Sequence, residues 1–128
     1  MKIYLAGGFH SGWQEKVIDS CPKHTFYNPA DKEPGNVRWE INFIGAWDLH
    51  HIRRCDLVFV NMERTNPSGI GLAVEAGYAY GIGKTVILVL EPNHETMKDK
   101  YLAFLTKCAH ITFGTLDDGI EFLKTFKI

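Results

Sequence analysis

Residues 56–90 read DLVFVNMERTNPSGIGLAVEAGYAYGIGKTVILVL, and this stretch decides the fold. Its hydrophobic pattern predicts a strand over residues 56–61, a polar loop over 62–69, a helix over 70–82 and a second strand over 85–90. The helix is expected to stop at Gly83, because glycine suits the left-handed conformation that follows many helices. The second strand is so apolar that both of its faces should be buried, as in a parallel sheet.

The alternation of strand and helix continues on both sides of this unit. We predict strands over 2–6 and 24–27, helices over 11–20 and 38–54, and a loop over 28–37 before it, then a helix over 96–108, a strand over 110–113 and a helix over 115–126. Such alternation predicts a parallel sheet with helices on both sides. We therefore expect an α/β fold with a flavodoxin-like (Rossmann-like), doubly wound five-stranded parallel sheet, in a single domain covering residues 1–128.

The composition excludes several classes of partner. The 128 residues carry a net charge of −1 and no basic run, which argues against polymeric nucleic acid and against an anionic membrane as partners. The apolar runs are too short to span a bilayer. The chain opens directly into a strand, so we expect no signal peptide. Three cysteines without a Cys-x-x-Cys pair favour a cytoplasmic protein with free thiols, and the six histidines lack the spacing of a metal site.

Glu75 is the one charged residue of the predicted helix over 70–82. A helix without a polar face is expected to be buried nearly all round, with Leu72, Ala76 and Ala79 as its tightest stripe and Glu75 beside that stripe. Burying an unpaired carboxylate costs several kcal/mol. Two interpretations stay open: a structural pair with an arginine near the positive end of the helix, or a nucleophile or base at the floor of a cleft.

Asp48 interrupts a second apolar stripe, four residues after Ile44 and four before Ile52. It could form a salt bridge to Arg53 or Arg54 or an ion pair at the helix end, or it could share a cleft with Glu75. Two carboxylates in one cleft suit glycosidic chemistry, because one attacks the anomeric carbon and the other handles the proton of the leaving group. Asp56 opens a strand, and we expect it to have only a structural role.

In doubly wound sheets, ligands bind beyond the carboxyl ends of the strands. Gly7 and Gly8 follow the first strand, where they could admit a ligand close to the backbone or simply form a tight turn. Asn66, Ser68 and Gly69 belong to the loop before the Glu75 helix. Ser68 could cap that helix, or the helix N-terminus could hold a 5′-phosphate or a sugar hydroxyl.

The aromatic residues have two readings each. Tyr4, near the end of the first strand, is either a core aromatic or a phenol that hydrogen-bonds Glu75. Four further aromatics surround the presumed mouth of the cleft, and some of them should stack on a planar base, although each alone is more often a packing residue: Phe9, Trp13, Trp39 and Trp47.

Four segments resemble the nucleoside 2-deoxyribosyltransferase family, which includes related deoxynucleotide N-glycosidases. They read YLAGG at 4–8, WDL at 47–49 followed by Ile52 and CD at 55–56, SGIGLAVEAGYA at 68–79, and GKTV at 83–86. The resemblance implies a flavodoxin-like fold and no metal or organic cofactor. It also implies a homodimer or higher homo-oligomer whose active sites borrow residues from a neighbouring subunit.

The resemblance also implies roles for individual residues. Glu75 would be the nucleophile that forms a glycosyl ester, Tyr4 would orient it, and Asp48 would assist protonation of the base. From the positions of the glycines, the aromatics and the polar loop described above, we expect substrate binding by Gly7, Gly8, Phe9, Trp47, Asn66, Ser68 and Gly69. The substrate would be a (deoxy)nucleoside or a nucleoside 5′-monophosphate.

The chain departs from the transferases at one position. They often carry a sugar-binding aspartate six residues before the nucleophile, where this chain has Gly69. Transfer of the sugar to another base and transfer to water therefore both stay open. A non-catalytic nucleotide-binding module on the same fold is the alternative function.

Overall fold

Five parallel strands form one sheet in the order β2-β1-β3-β4-β5. The computed structural model describes residues 1–32, 41–94 and 96–126. The strands are β1 (Lys2–Gly7), β2 (Thr25–Tyr27), β3 (Leu57–Met62), β4 (Thr85–Leu90) and β5 (Ile111–Phe113). This strand order is the flavodoxin-like, doubly wound order, so the predicted fold class is confirmed.

In the described part of the chain, five α-helices connect and flank the strands. They are α1 (Trp13–Ser20), α2 (Ile41–Arg54), α3 (Ile70–Gly81), α4 (Thr96–Thr106) and α5 (Leu116–Thr125), and a short 3-10 helix covers Pro29–Lys32. The helix predicted from residue 11 begins two residues later, because Gly12 adopts a left-handed conformation with φ of 73°. The start of the helix predicted over 38–54, most of the loop predicted over 28–37, and Trp39 lie outside the described residues.

Two apolar cores lie on the two faces of the sheet. Helices α2, α3 and α4 cover one face, and α1 and α5 cover the other. The strand β4 contributes to both, since Val86 and Leu88 point to one core and Ile87 and Val89 to the other, all fully buried. The prediction that this strand is buried on both faces is confirmed.

The prediction that α3 is buried nearly all round is wrong for the single chain. Leu72, Ala76 and Ala79 are buried against the sheet, as the stripe predicted, but Ile70 and Val74 are 73% and 60% exposed. Since α3 rests on the sheet by one face and has α2 and α4 at its sides, its outer face meets nothing within the described chain. An apolar composition therefore predicted burial that one copy of the chain does not provide.

Asp56 fixes the register of the two central strands. Its Oδ2 accepts a hydrogen bond from the Lys2 backbone N–H at 2.7 Å, and its own N–H donates to the Lys2 carbonyl at 2.8 Å. In this register Gly7 lies opposite Asn61, so β1 and β3 end at nearly the same level. The structural role expected for Asp56 is confirmed, and the loops after β1 and β3 consequently start side by side.

Candidate active site

A cavity of about 270 Å³ opens beyond the carboxyl ends of β1 and β3. This is the point where the strand order reverses, which is where doubly wound sheets hold their ligands. The residues that line it are Gly7, Gly8, Phe9, Pro29, Ile44, Asp48, Asn66, Ser68, Gly69, Ile70, Gly71, Leu72 and Glu75. The structure thus brings together every site residue predicted from the sequence except Tyr4 and Trp47.

Glu75 reaches the cavity from the second turn of α3. The residue is half-buried, and its Oε2 atom is buried. Helical side chains lean toward the N-terminus of their helix, and the Oε1 atom accordingly lies 4.0 Å from the position that a Cβ would take on Gly71, one turn earlier. The carboxyl group therefore lies over the first turn of α3, at the cavity floor.

Asp48 reaches the same cavity from α2, which packs beside α3. It is half-buried and lies one helical turn after Ile44, which also lines the cavity. Ile52, one turn further on, is fully buried in the core. The stripe that Asp48 interrupts thus passes from the core to the cavity at this residue, and Asp48 and Glu75 line the same cavity.

Tyr4 lies beneath both carboxylates, fully buried on β1. Burial is the main cause that raises the pKa of its phenol above the ordinary value, and the negative charges of Glu75 and then of Asp48 raise it further. The phenol is consequently protonated at neutral pH and able to donate its proton to a carboxylate. Although Tyr4 does not line the cavity, its hydroxyl lies close enough to both carboxylates for the charge of each to raise its pKa.

The turn after β1 is rigid and closely packed. A Cβ on Gly7 would lie 2.7 Å from the Asn61 carbonyl oxygen and 2.8 Å from the Trp13 ring, so no side chain fits there. The Gly8 carbonyl accepts hydrogen bonds from Trp13 Nε1 and Gln14 Nε2, both at 2.9 Å. Gly7 is therefore explained by packing, whereas Gly8 presents a fixed backbone to the cavity.

Asn66 organises the loop between β3 and α3. Its Oδ1 accepts a hydrogen bond from the Ser68 N–H at 3.1 Å, and its carbonyl accepts one from Lys98 Nζ of α4 at 2.6 Å. The Ser68 hydroxyl accepts from the Ile70 N–H at 3.2 Å. The cap of α3 is Gly69, which makes no side-chain cap bond, so the expectation that Ser68 caps the helix is wrong by one position.

Gly69 is constrained twice. Its φ of 76° lies in the left-handed region, and a Cβ at this position would lie 2.8 Å from the Met62 thioether. An aspartate here, where the transferases often have one, would be strained and would press on Met62. The absence of that aspartate is thus built into the local backbone of this chain.

The four candidate aromatics separate clearly. Trp47 stacks on His51 with ring centroids 3.7 Å apart, and Trp13 is buried against Phe59, so neither lines the cavity. Phe9 lines the cavity and is 49% exposed. Trp39 lies outside the described residues. Among the aromatics of the described chain, Phe9 is therefore the one placed to contact a planar ligand.

Five cavity residues were missed from the sequence: Pro29, Ile44, Ile70, Gly71 and Leu72. Ile44 had a usable signal, because it shares the helical stripe of Asp48. Pro29 lies just beyond the carboxyl end of β2, and ligands of doubly wound sheets are expected beyond the carboxyl ends of the strands. The other three belong to the first turn of α3, and apolar side chains or glycine carry no chemical signal of their own.

The described residues contain no candidate metal site. Within residues 1–32, 41–94 and 96–126, no group of three or more histidine, cysteine, aspartate or glutamate side chains could hold a metal ion. In the same part of the chain, no helix is long and apolar enough to cross a membrane. The chemistry that the cavity offers is that of two carboxyl groups and a buried phenol.

Comparisons with known proteins identify the family and show similar folds. The family described as nucleoside 2-deoxyribosyltransferase matches the chain over residues 3–119. A conserved protein from Enterococcus faecalis V583 has a similar structure, with a TM-score of 0.70, 18% identity and 97% of each chain covered. The CMP N-glycosidase BcmB from Clostridium botulinum gives a TM-score of 0.64 at 18% identity, covering 98% of this chain and 100% of that one. At this identity the two structures share the fold, and no curated protein matches the sequence.

Proposed function

Because this chain belongs to the nucleoside 2-deoxyribosyltransferase family, we propose that it cleaves the N-glycosidic bond of a (deoxy)nucleoside or a nucleoside 5′-monophosphate. The observation that carries the proposal is the meeting of Asp48 and Glu75 in one cavity above the buried phenol of Tyr4. A pair of carboxyl groups flanking one bond is the usual equipment for glycosidic cleavage.

In the proposed reaction, a carboxylate oxygen of Glu75 attacks C1′ of the sugar. The bond between C1′ and the base nitrogen breaks, and the base leaves with the electron pair. Asp48 assists its protonation, which stabilises the departing base. Water or the nitrogen of a second base then attacks C1′, breaks the ester and restores the Glu75 carboxylate.

Tyr4 supports this reaction as a hydrogen-bond donor. Its pKa is raised, so the phenol keeps its proton in the pH range where Glu75 must be ionised to attack. In the proposed reaction, donation from this phenol to the Glu75 carboxylate orients the attacking oxygen. Asp48 also lies close enough for its charge to affect the phenol.

The substrate classes to be tested first follow from the cavity and from a neighbour. Phe9 offers a half-exposed aromatic face at the mouth, on which a nucleobase can stack. Ser68 and the first turn of α3 suit a 5′-phosphate or a sugar hydroxyl. Since one structurally similar protein is a CMP N-glycosidase, cytidine 5′-monophosphate and its deoxy counterpart head the list. Gly69 in place of an aspartate favours transfer to water over transfer to a base.

The deciding experiment is release of free base, followed by chromatography, from nucleosides and their 5′-monophosphates, with and without an acceptor base. Glu75→Gln should abolish release while the exposed control Glu15→Gln on α1 retains it. Release that survives in Glu75→Gln would contradict the nucleophile assignment. Calorimetric binding by the wild type without any release would favour the non-catalytic module instead.

We also infer that the functional unit is a homo-oligomer formed through the outer face of α3. Ile70 and Val74 are exposed there, and the two helices that flank α3 also expose aromatic side chains: Phe43 on α2, and Tyr101 and Phe104 on α4. The outer face of α3 carries no charge that would repel a second copy. Ile70 also lines the cavity, so a second copy on this face would border the substrate.

Sedimentation velocity tests the oligomer. The wild type should sediment as a dimer or larger, and Val74→Glu should shift it toward the monomer because a carboxylate would be buried in the contact. Lys23→Glu, at an exposed position at the other edge of the sheet, serves as control. A wild type that stays monomeric at high concentration would contradict the inference.

A further inference from the structure

Gly71 lies in the first turn of α3, four residues before Glu75, and lines the cavity. A Cβ at Gly71 would meet a single neighbouring atom within 4 Å in the described structure, Glu75 Oε1 at 4.0 Å. Gly71 is also absent from the described glycines with positive φ. Within the described residues of one chain, neither backbone conformation nor packing therefore requires glycine at this position, and alanine is the better helix former.

Other glycines of the chain show what a structural requirement looks like. A Cβ on Gly7 would lie 2.7 Å from a backbone oxygen, and one on Gly119 would lie 2.6 Å from Val89. Gly45 resembles Gly71, because it lies in a helix and a Cβ there would meet nothing within 4 Å. Gly45 differs in that it does not line the cavity. Open space beside the proposed nucleophile is thus the distinguishing property of Gly71.

The chemistry of the proposed reaction says what fills that space. An attacking carboxylate oxygen must come within roughly 3–3.5 Å of C1′. The C2′ atom is bonded to C1′, so the groups on C2′ lie within a few ångström of the same oxygen. Ribose differs from 2′-deoxyribose by one oxygen on C2′, which is close in size to the methyl group that alanine would add at residue 71.

We propose that Gly71 determines sugar specificity: its missing side chain leaves room beside Glu75 for a 2′-hydroxyl, so that the site accepts ribose as well as 2′-deoxyribose. This inference rests on the proposed function, since it takes Glu75 as the group that faces C1′. Neither the backbone nor the packing of the described chain requires a glycine at residue 71. Its role would be to keep the Glu75 carboxylate accessible from one side.

The test compares wild type, Gly71→Ala and the control Gly45→Ala. Base release is measured from the common ribonucleoside 5′-monophosphates, their 2′-deoxy counterparts and the corresponding nucleosides. Wild type and Gly45→Ala should act on both sugars. Gly71→Ala should lose roughly tenfold or more in kcat/KM for ribose relative to deoxyribose, the usual effect of one crowding methyl group. Its Tm should equal or exceed that of the wild type, which separates lost room from lost folding.

A binding measurement keeps the inference testable without turnover. The same compounds are titrated calorimetrically into Glu75→Gln and into Glu75→Gln combined with Gly71→Ala. The added methyl group should weaken ribose compounds by roughly tenfold relative to deoxyribose compounds. An unchanged ratio, equal losses for both sugars, or no binding of any compound would overturn the inference. Failure of the proposed function would show separately, as absence of base release by the wild type.

Discussion

Two cavities of nearly equal size lie at opposite edges of the sheet, and only one of them has the features of an active site. The cavity of about 270 Å³ at the carboxyl edge is described above. The other, of about 290 Å³, lies at the amino edge, between the turn after α1 and the end of α5. It is lined by Ser20, Cys21, Pro22, Lys23, His24, Lys124 and Phe126. Volume therefore does not distinguish the two.

The difference lies in what the polar groups contact. At the amino edge, Lys124 donates to Glu121 of its own helix at 2.7 Å, and the N-terminal amine lies 3.3 Å from His24 Nδ1. These groups serve the fold. At the carboxyl edge, Asp48 and Glu75 both line the cavity, and the charges of both raise the pKa of the buried Tyr4 phenol. Convergence of groups from separate elements, at the point where the strand order reverses, is the better sign of a reactive site.

The largest difference between the two cavities is expected for substitution of Asp48 by asparagine. The change removes the carboxyl group that assists departure of the base but keeps its shape, so kcat/KM for base release should fall by about 10²–10⁴. Lys124→Met at the amino edge should leave kcat/KM within about twofold, because surface ion pairs contribute little. Steady-state kinetics on both variants, with circular dichroism as a check of folding, decides the matter. Comparable losses in the two variants would erase the distinction between the cavities.

A smaller loss is expected for Tyr4→Phe. The change deletes only the hydroxyl beneath the two carboxylates, and a hydrogen bond to a charged group contributes about 2 kcal/mol, or about thirtyfold in kcat. The pH dependence of kcat should also change, because the donor to the carboxylates is lost. Tyr27→Phe on the neighbouring strand is the matched control. Full activity of Tyr4→Phe across the pH range would show that Tyr4 is only a core aromatic.

Most of the fold could be predicted from the sequence because its signals are local. Each signal reports on a short segment: the apolar run of β4, the glycine after α3, and the alternation of strand and helix. Together these signals predicted the parallel sheet. The outer face of α3 could not be predicted in the same way. Its apolar residues indicate burial, but Val74 and Ile70 are exposed in the described chain.

The candidate site was predicted less evenly. Asp48 and Glu75 stood out because a charge in an apolar stripe requires an explanation, and Gly8 and Ser68 because they follow strand ends. Trp47 does not line the cavity and stacks on His51 instead, because a helical aromatic can face either one and sequence spacing does not say which. Gly71 was missed because open space is a property of the surroundings, which the sequence does not contain.

A few-fold effect is expected from Lys98→Met. Lys98 Nζ holds the Asn66 carbonyl at 2.6 Å, and this bond fixes the loop that borders the carboxyl-edge cavity. Loss of about 1 kcal/mol of positioning should raise KM about fivefold and leave kcat nearly unchanged. Lys98→Arg should restore part of the affinity, and Lys100→Met, exposed on the same helix, should change neither constant. Equal effects of the two methionine variants would refute the positioning role.

The smallest effect is expected at the amino edge. Burial raises the pKa of the Cys21 thiol, so its reactive thiolate becomes abundant only at a higher pH than for an ordinary thiol. Iodoacetamide at pH 8 should therefore modify Cys21 more slowly than the half-buried Cys108, with a rate that rises toward alkaline pH. Modification of Cys21 should leave base release unchanged. Inactivation that follows Cys21 labelling would connect this cavity to the chemistry and contradict the comparison.

The central claim is that Glu75 bonds to the sugar, and trapping that bond tests it most directly. The wild type is incubated with nucleotides that carry fluorine at C2′, which slows departure of the sugar because it destabilises the oxocarbenium-like transition state. Intact-mass measurement should show one added sugar phosphate per chain, located by peptide mapping to Glu75 and absent in Glu75→Gln. Release of base with no adduct, or an adduct on any other residue, would contradict the account.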